Sequence, residues 1–185
     1  MVPALTLWLP TLLSAVVVFV ASSIMHMVLP YHRNDLRKLP KEDEIMEALR
    51  TFAIPPGDYA MPLAGSMEGM KSPEFVEKMK AGPVAFMTVR PSGPPTMTKS
   101  LVLWFVYLVF VCFFTAYITG RALGPGAPFL AVFRFAGTAA FGAYSIALLQ
   151  QSIWNGRKWS TTWKSVVDGF VHACLTAAVF GWLWP

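Results

Sequence analysis

Four long apolar runs dominate the hydrophobic pattern of the chain. A helix needs about 20 mostly apolar residues to cross the roughly 30 Å hydrocarbon layer of a bilayer, and each run is about that long. Short polar or Gly/Pro-rich stretches separate the second, third and fourth runs. The pattern therefore predicts four membrane-spanning helices, at approximately residues 5–29, 100–119, 127–149 and 163–184.

The segment between the first two runs, residues 30–99, is too long for a simple turn and carries its own structural signals. Pro40 and the three acidic residues after Lys41 predict a helix over residues 41–52, because proline and negative charge both suit a first helical turn. A Ser-Pro-Glu start predicts a second helix over residues 72–82. The segment that follows, 83–89, predicts a short strand. About 70 residues with little apolar content make a marginal core, so we expect this insertion to lie on the membrane surface or on a partner protein.

The predicted fold class is therefore an all-α membrane protein. It is a four-transmembrane-helix bundle with a mixed helix and loop insertion between helices 1 and 2. We assign residues 1–29 to transmembrane helix 1, residues 30–99 to the insertion and residues 100–185 to transmembrane helices 2–4. The first run has no Lys or Arg before it and exceeds the roughly 7–15 apolar residues of a signal peptide, so we expect it to be retained.

Charge is concentrated at one set of helix ends. Only 14% of residues are charged, against about 25% in a soluble domain. Thirteen of the fifteen Lys/Arg lie in the insertion, in the third loop or at the start of the fourth run. The positive-inside rule assigns that side to the cytoplasm, which predicts a cytoplasmic insertion with both termini outside. No basic run interleaves with aromatic residues, so nucleic acid is not an expected partner.

Ionisable residues within the apolar runs are candidate functional residues, because burying charge in lipid is costly. Asp168 and His172 lie four residues apart and share one helical face. They fit a proton relay, a quinone site or a metal or haem ligand; alternatively, Lys164 pairs with Asp168 and His172 completes that network. We expect Arg134 to snorkel outward or to pair with the C-terminal carboxylate or a lipid phosphate. A depth difference of about 15 Å argues against pairing between Arg134 and Asp168.

The end of the first run carries the densest polar cluster of the sequence. His26 is followed by His32, Arg33 and Asp35, which we interpret as a polar cluster with a structural role at the membrane surface. His26 and His172 lie toward the same side, and two histidines on separate helices can ligate one haem. No other haem signature occurs. We therefore predict no metal and no resident cofactor, with haem or quinone as the alternative.

The third run carries a stripe of small residues that predicts close helix packing. Its members are Ala136, Ala140, Ala143 and Ala147. Both cysteines fall within predicted spans, where we expect them to pack as small hydrophobes. The sequence has no phosphate-binding loop, dinucleotide-binding, zinc-protease or serine-hydrolase motif, so no enzymatic activity is predicted.

Three stretches are similar to those of small bacterial inner-membrane proteins whose function is uncharacterised. They are His26-Met27-Val28-Leu29-Pro30-Tyr31-His32-Arg33, Val132-Phe133-Arg134-Phe135 and Phe180-Gly181-Trp182-Leu183-Trp184-Pro185. The resemblance covers most of the chain. It implies a multi-pass location in the bacterial inner membrane and brings no activity, cofactor or site residue with it.

These features support three functional hypotheses. The first is a non-catalytic accessory or scaffold subunit, whose Met- and Pro-rich insertion docks on other subunits of a larger membrane complex. The second is a small redox-, quinone- or haem-linked protein that uses His26, Asp168 and His172. The third is a small transporter that uses Arg134 and Asp168. The lipid bilayer is an expected partner in all three.

Overall fold

Four helical stretches of the structure are long and apolar enough to cross a membrane. The structure, a computed structural model, describes residues 1–185. The four stretches are Ala4–Met27, Thr98–Ala122, Phe129–Trp154 and Trp159–Trp182. The prediction of four apolar helices is confirmed. The third extends beyond residue 149, and the fourth begins before residue 163, because only a four-residue linker separates them.

The structure is mostly helical. In chain order, the helices are α1 (Trp8–Met27), α2 (Glu42–Thr51), α3 (Pro73–Ala81), α4 (Thr98–Ala122), α5 (Phe129–Ser145), α6 (Leu149–Trp154) and α7 (Trp159–Trp182). Two strands, β1 (Gly57–Met61) and β2 (Ala85–Val89), form one antiparallel pair. Short 3-10 turns occupy Ala4–Leu7, Pro30–His32, Gly69–Lys71 and Ile146–Leu148.

The chain divides into two compact units. The bundle unit comprises Met1–Leu36 and Thr96–Pro185, and the insertion unit comprises Arg37–Pro95. Residues 30–36, which the sequence analysis assigns to the insertion, thus group with the helices; we call them the return segment. Lys164 of α7 holds this segment by donating hydrogen bonds to the Tyr31 carbonyl and the Asp35 carboxylate.

Helices α5 and α7 pack closely through small residues. The buried stripe of α5 consists of Val132, Ala136, Ala140 and Tyr144, each four residues after the last. Gly137 allows a close approach, since a Cβ added there would lie 3.3 Å from the Ala177 Cβ. Of the predicted alanine stripe, Ala136 and Ala140 are therefore packed. Ala143 and Ala147 are exposed instead, because the buried face continues at Tyr144 and the α-helix ends at Ser145.

The insertion unit contains the local elements that the sequence indicates. Helices α2 and α3 fall within one residue of their predicted bounds, and Ser72 caps α3 by accepting a hydrogen bond from the Phe75 amide at 3.2 Å. Strand β1 was not predicted, because its partner strand β2 is distant in sequence. No residue of Arg37–Pro95 is buried in the structure. The insertion unit therefore has no hydrophobic core of its own.

Candidate functional site

Three potential metal ligands converge at one end of the bundle unit. They are His26 on α1, His32 on the return segment and Asp168 on α7, which we call the His-His-Asp cluster. One ligand atom from each lies within 4.8 Å of the other two. The cluster therefore joins three parts of the chain that are far apart in sequence.

The return segment brings His32 toward α7. Helix α1 ends at Met27, and Pro30 opens a 3-10 turn that ends at His32. Proline suits this position because its φ is already close to the helical value and it has no N–H to leave unpaired. The turn stacks the His32 ring on the His26 ring, with 4.4 Å between centroids and 9° between planes. Both imidazoles are thereby presented to the same carboxylate.

Asp168 is the buried member of the cluster. Its Oδ2 atom lies 2.9 Å from the Nε2 atom of His32 and 3.9 Å from the Nε2 atom of His26. The carboxylate side chain is only 6% exposed, whereas the His26 side chain is 52% exposed. The cluster is therefore accessible from the His26 side and closed around Asp168.

Hydrogen bonds to the other ring nitrogens orient both histidines. His26 Nδ1 lies 3.0 Å from the Ser22 carbonyl oxygen, which can only accept, so we assign the proton to Nδ1. His32 Nδ1 lies 2.6 Å from Asp35 Oδ2. Protein metal sites use this arrangement, in which a carbonyl or carboxylate takes the Nδ1 proton and leaves the Nε2 lone pair free.

The polar atoms at the centre of the cluster are not satisfied by the protein. Asp168 Oδ1 and His32 Nε2 are both buried without a hydrogen-bond partner. The 2.9 Å separation of His32 Nε2 and Asp168 Oδ2 is thus not a well-directed hydrogen bond. An imidazole lone pair facing a carboxylate is repulsive unless a cation lies between them. Tetrahedral zinc bonds of about 2.0–2.1 Å place donor atoms about 3.3 Å apart, between the two observed distances.

Asp35 connects the cluster to α7. Its carboxylate accepts hydrogen bonds from Lys164 at 2.7 Å and from His32 at 2.6 Å. Desolvation raises the pKa of Asp35, but the hydrogen bonds from Lys164 and His32 and the positive charge of Lys164 outweigh it and hold the pKa below its usual range. Asp35 therefore stabilises the fold in its ionised form, and this contribution is lost only as the pH falls through that lowered value. Lys164 pairs with Asp35, not with Asp168 as the sequence alternative has it.

His172 lies beside the cluster without joining it. It lines a cavity of about 330 Å³ together with His26, Trp104, Tyr144 and Asp168. Its Nε2 atom is buried and has no hydrogen-bond partner. The rings of Trp104 and Tyr144 lie 6.3 and 5.7 Å from the His172 ring. The structure thus pairs His26 with His32, whereas the haem hypothesis needs His26 and His172 as the ligands.

The remaining candidates lie apart from the cluster. Arg134 is exposed and has no ion-pair partner within 4.0 Å, and it lines a separate groove with Phe141 and Phe170. The C-terminal Pro185 does not pair with it; the Pro185 carbonyl accepts a hydrogen bond from the Gly126 amide at 2.6 Å. Arg33 lies at the rim of a cleft beside the cluster.

All three members of the cluster were candidates from the sequence, His26 together with His32 in one group and with Asp168 in another, but the three were not predicted to form one site. Ser22, Trp104 and Tyr144 were not predicted as site residues. From the sequence, Trp104 fits an aromatic anchor at the membrane interface and Tyr144 fits ordinary core, so neither indicates this site. Ser22 could have been found by its position four residues before His26, where its backbone carbonyl faces that side chain along the helix.

Comparison of the chain with protein-family models, curated proteins and solved structures finds no match. The class of protein is therefore described from the fold and the candidate site alone. The chain is a helical protein with four helices of membrane-spanning length and apolarity. A buried carboxylate and two oriented histidines converge at one end of its bundle unit.

Proposed function

We propose that this chain is an integral membrane protein that binds one divalent transition-metal ion through His26, His32 and Asp168. The observation that carries the proposal is the convergence of two Nε2 atoms, whose tautomers are set by Ser22 and Asp35, on one buried carboxylate. Two imidazoles and one carboxylate suit zinc or ferrous iron. Three protein ligands leave at least one coordination position open for a water or another ligand.

The proposed topology follows the charge distribution. We place the four apolar helices across a bacterial inner membrane, with the insertion and the third loop in the cytoplasm and both termini outside. The His-His-Asp cluster then lies at the cytoplasmic end of the bundle. Asp168 is nine residues into α7, or about 14 Å along the helix axis. The return segment reaches this depth from the insertion side.

Metal content is the direct test of the proposal. We expect protein purified without chelators, then equilibrated with zinc and desalted, to hold about one zinc ion per chain by mass spectrometry of the elements. His26→Ala and His32→Ala each remove a ligand and are expected to lose the ion. The third histidine provides a matched control, because His172→Gln leaves all three ligands in place and should keep it.

The effects of substituting each of the three histidines distinguish metal binding from the haem hypothesis. A haem held by His26 and His172 would tolerate loss of His32 and would show a Soret absorption band that His172→Gln abolishes. Wild-type protein that holds no zinc, ferrous iron or manganese under these conditions would contradict the proposed site.

A second proposal concerns the insertion unit, which we infer to dock on another subunit of a membrane complex. Its support is the absence of any buried residue between Arg37 and Pro95, although α2, α3 and the strand pair are formed. Exposed apolar side chains that form a continuous surface mark sites of interaction with another surface. This proposal keeps the accessory-subunit hypothesis for the insertion and adds it to metal binding by the bundle unit.

Proteolysis tests both the docking and the topology. We expect trypsin to leave the insertion intact in sealed spheroplasts, to cut it slowly in inverted native vesicles and to cut it rapidly in the purified protein. A difference between spheroplasts and inverted vesicles indicates a cytoplasmic location. A difference between inverted vesicles and the purified protein indicates a covering partner. Cleavage in spheroplasts would reverse the topology. Equal rates in inverted vesicles and in the purified protein would rule out a stable partner.

A further inference from the structure

We propose that the metal site also holds the phosphate group of a lipid, with the headgroup in a basic cleft and an acyl chain in an adjoining apolar groove. This inference rests on the proposed function, because the phosphate would occupy the open coordination position of the metal. It adds a ligand class that the cluster alone does not specify.

The basic cleft lies directly beside the His-His-Asp cluster. It has a volume of about 540 Å³, and its lining includes His26 and His32 together with Arg33, Arg157 and Lys158. The only carboxylate in the lining belongs to Asp35, which Lys164 already neutralises at 2.7 Å. The cleft therefore presents an excess of positive charge next to the proposed metal ion.

The three cations of the cleft are free to bind a ligand. None of Arg33, Arg157 and Lys158 has an acidic partner within 4.0 Å, although four Lys–Glu pairs form in the insertion unit. The only side-chain hydrogen bond among them runs from Arg157 Nη2 to Ser165 Oγ at 3.2 Å. Arginine and lysine beside a metal ion are a characteristic environment for phosphate oxygens. The chemistry of the cleft thus favours a phosphate ester.

An apolar groove adjoins the cleft on the outer surface of the bundle unit. It runs between α1 and α4, has a volume of about 280 Å³ and is lined by residues that include Met27, Met97, Leu101 and Trp104. Ligand sites of this kind bury apolar surface along their walls. A groove that faces the hydrocarbon layer between two spans suits an acyl chain.

His26 belongs to the walls of both the cleft and the groove. A ligand bound at His26 therefore has positive charge on one side and apolar surface on the other, which matches a lipid with an anionic headgroup. Exposed tryptophans cluster at the same end of the bundle unit: Trp154, Trp159 and Trp163. Tryptophan is enriched at the level of lipid headgroups. The cleft thus lies at the end of the bundle unit where we place the lipid phosphates, with Asp168 deeper along α7.

Three probes separate the contributions of the phosphate and the chain. Binding is measured on the full-length, zinc-loaded protein in detergent, with dioctanoyl phosphatidate, dioctanoylglycerol and glycerol 3-phosphate. We expect the phosphatidate to bind at least 10-fold more tightly than either of the others, since only it engages cleft and groove together. Equal affinity for glycerol 3-phosphate would overturn the lipid assignment in favour of a soluble phosphate ester. Equal affinity for dioctanoylglycerol would overturn phosphate recognition.

Matched charge variants test the cleft itself. Arg157→Gln is expected to weaken phosphatidate binding at least 10-fold, whereas Lys99→Gln, at the same end of the bundle unit but outside the cleft lining, leaves it unchanged. Equal losses in both variants would mean general surface electrostatics and would overturn the site. Zinc content is measured on the same samples. Zinc-loaded protein that does not bind phosphatidate refutes this inference alone, whereas wild-type protein that holds no zinc, ferrous iron or manganese refutes the proposed function.

Discussion

Zinc is expected to raise the melting temperature of the wild-type protein and to leave that of Asp168→Asn unchanged. A ligand that binds only the folded state stabilises it by about 2.7 kcal/mol at 100 times its dissociation constant. Asparagine keeps the size of the side chain but removes the charge that balances the cation. Thermal unfolding in detergent, with and without zinc, measures both responses.

In the metal-free protein, by contrast, Asp168→Asn is not expected to lower the stability. A buried carboxylate costs several kcal/mol in desolvation, and Asp168 Oδ1 recovers none of this through a hydrogen bond. We therefore expect metal-free Asp168→Asn to unfold at or above the temperature of the metal-free wild type. A purely structural Asp168 would give the reverse result, a less stable variant in the absence of zinc.

An exposed carboxylate provides the matched control for this pair of measurements. Glu74 is 78% exposed and pairs only with Lys78, so Glu74→Gln removes one negative charge without touching the cluster. Its response to zinc should equal that of the wild type. A zinc-induced shift that survives in Asp168→Asn would show that the ion binds elsewhere, and would remove Asp168 from the ligand set.

The four apolar helices were predictable because span length and apolarity are local properties of the sequence. The apolar windows of all four helices stand out without any knowledge of packing. The local elements α2 and α3 were predictable for the same reason, since Pro40 and Ser72 mark helix starts. The exposure of Ala143 and Ala147 was not. It depends on which face of α5 packs inside the bundle unit, where the buried positions continue at Tyr144, and on the end of the α-helix at Ser145.

The site could be predicted only in its parts. His26, His32 and Asp168 were each recognisable as unusual, because polar residues in or beside an apolar span require a reason. Their convergence depends on the neighbouring positions of α1 and α7 and on a return segment that turns back toward the bundle at Pro30. No periodicity within one segment reports contacts of this kind. The sequence therefore linked His26 to His32 and to Asp168 in turn, but did not predict the three-residue site that the structure brings together.

Lys164→Met is expected to weaken zinc binding by about 10- to 100-fold without removing a ligand. Metal sites lose affinity on this scale when the groups that orient their ligands are replaced. Lys164 bonds to the Tyr31 carbonyl and to Asp35, which in turn orients His32. Hydrogen bonds to charged groups contribute about 1.5–3 kcal/mol each, so their loss should release the return segment from α7. Zinc titration by calorimetry measures the change in affinity.

Lys38→Met provides the control, because the same substitution removes a lysine from an exposed ion pair. The Lys38–Glu42 pair is 73% and 38% exposed, whereas the Lys164–Asp35 pair is 29% and 17% exposed. Exposed pairs contribute about 0–1 kcal/mol, so zinc affinity should not change in this variant. If Lys164→Met binds zinc as tightly as the wild type, the return segment does not need its anchor on α7. His32 would then be positioned by its stacking on His26 and by Asp35 alone.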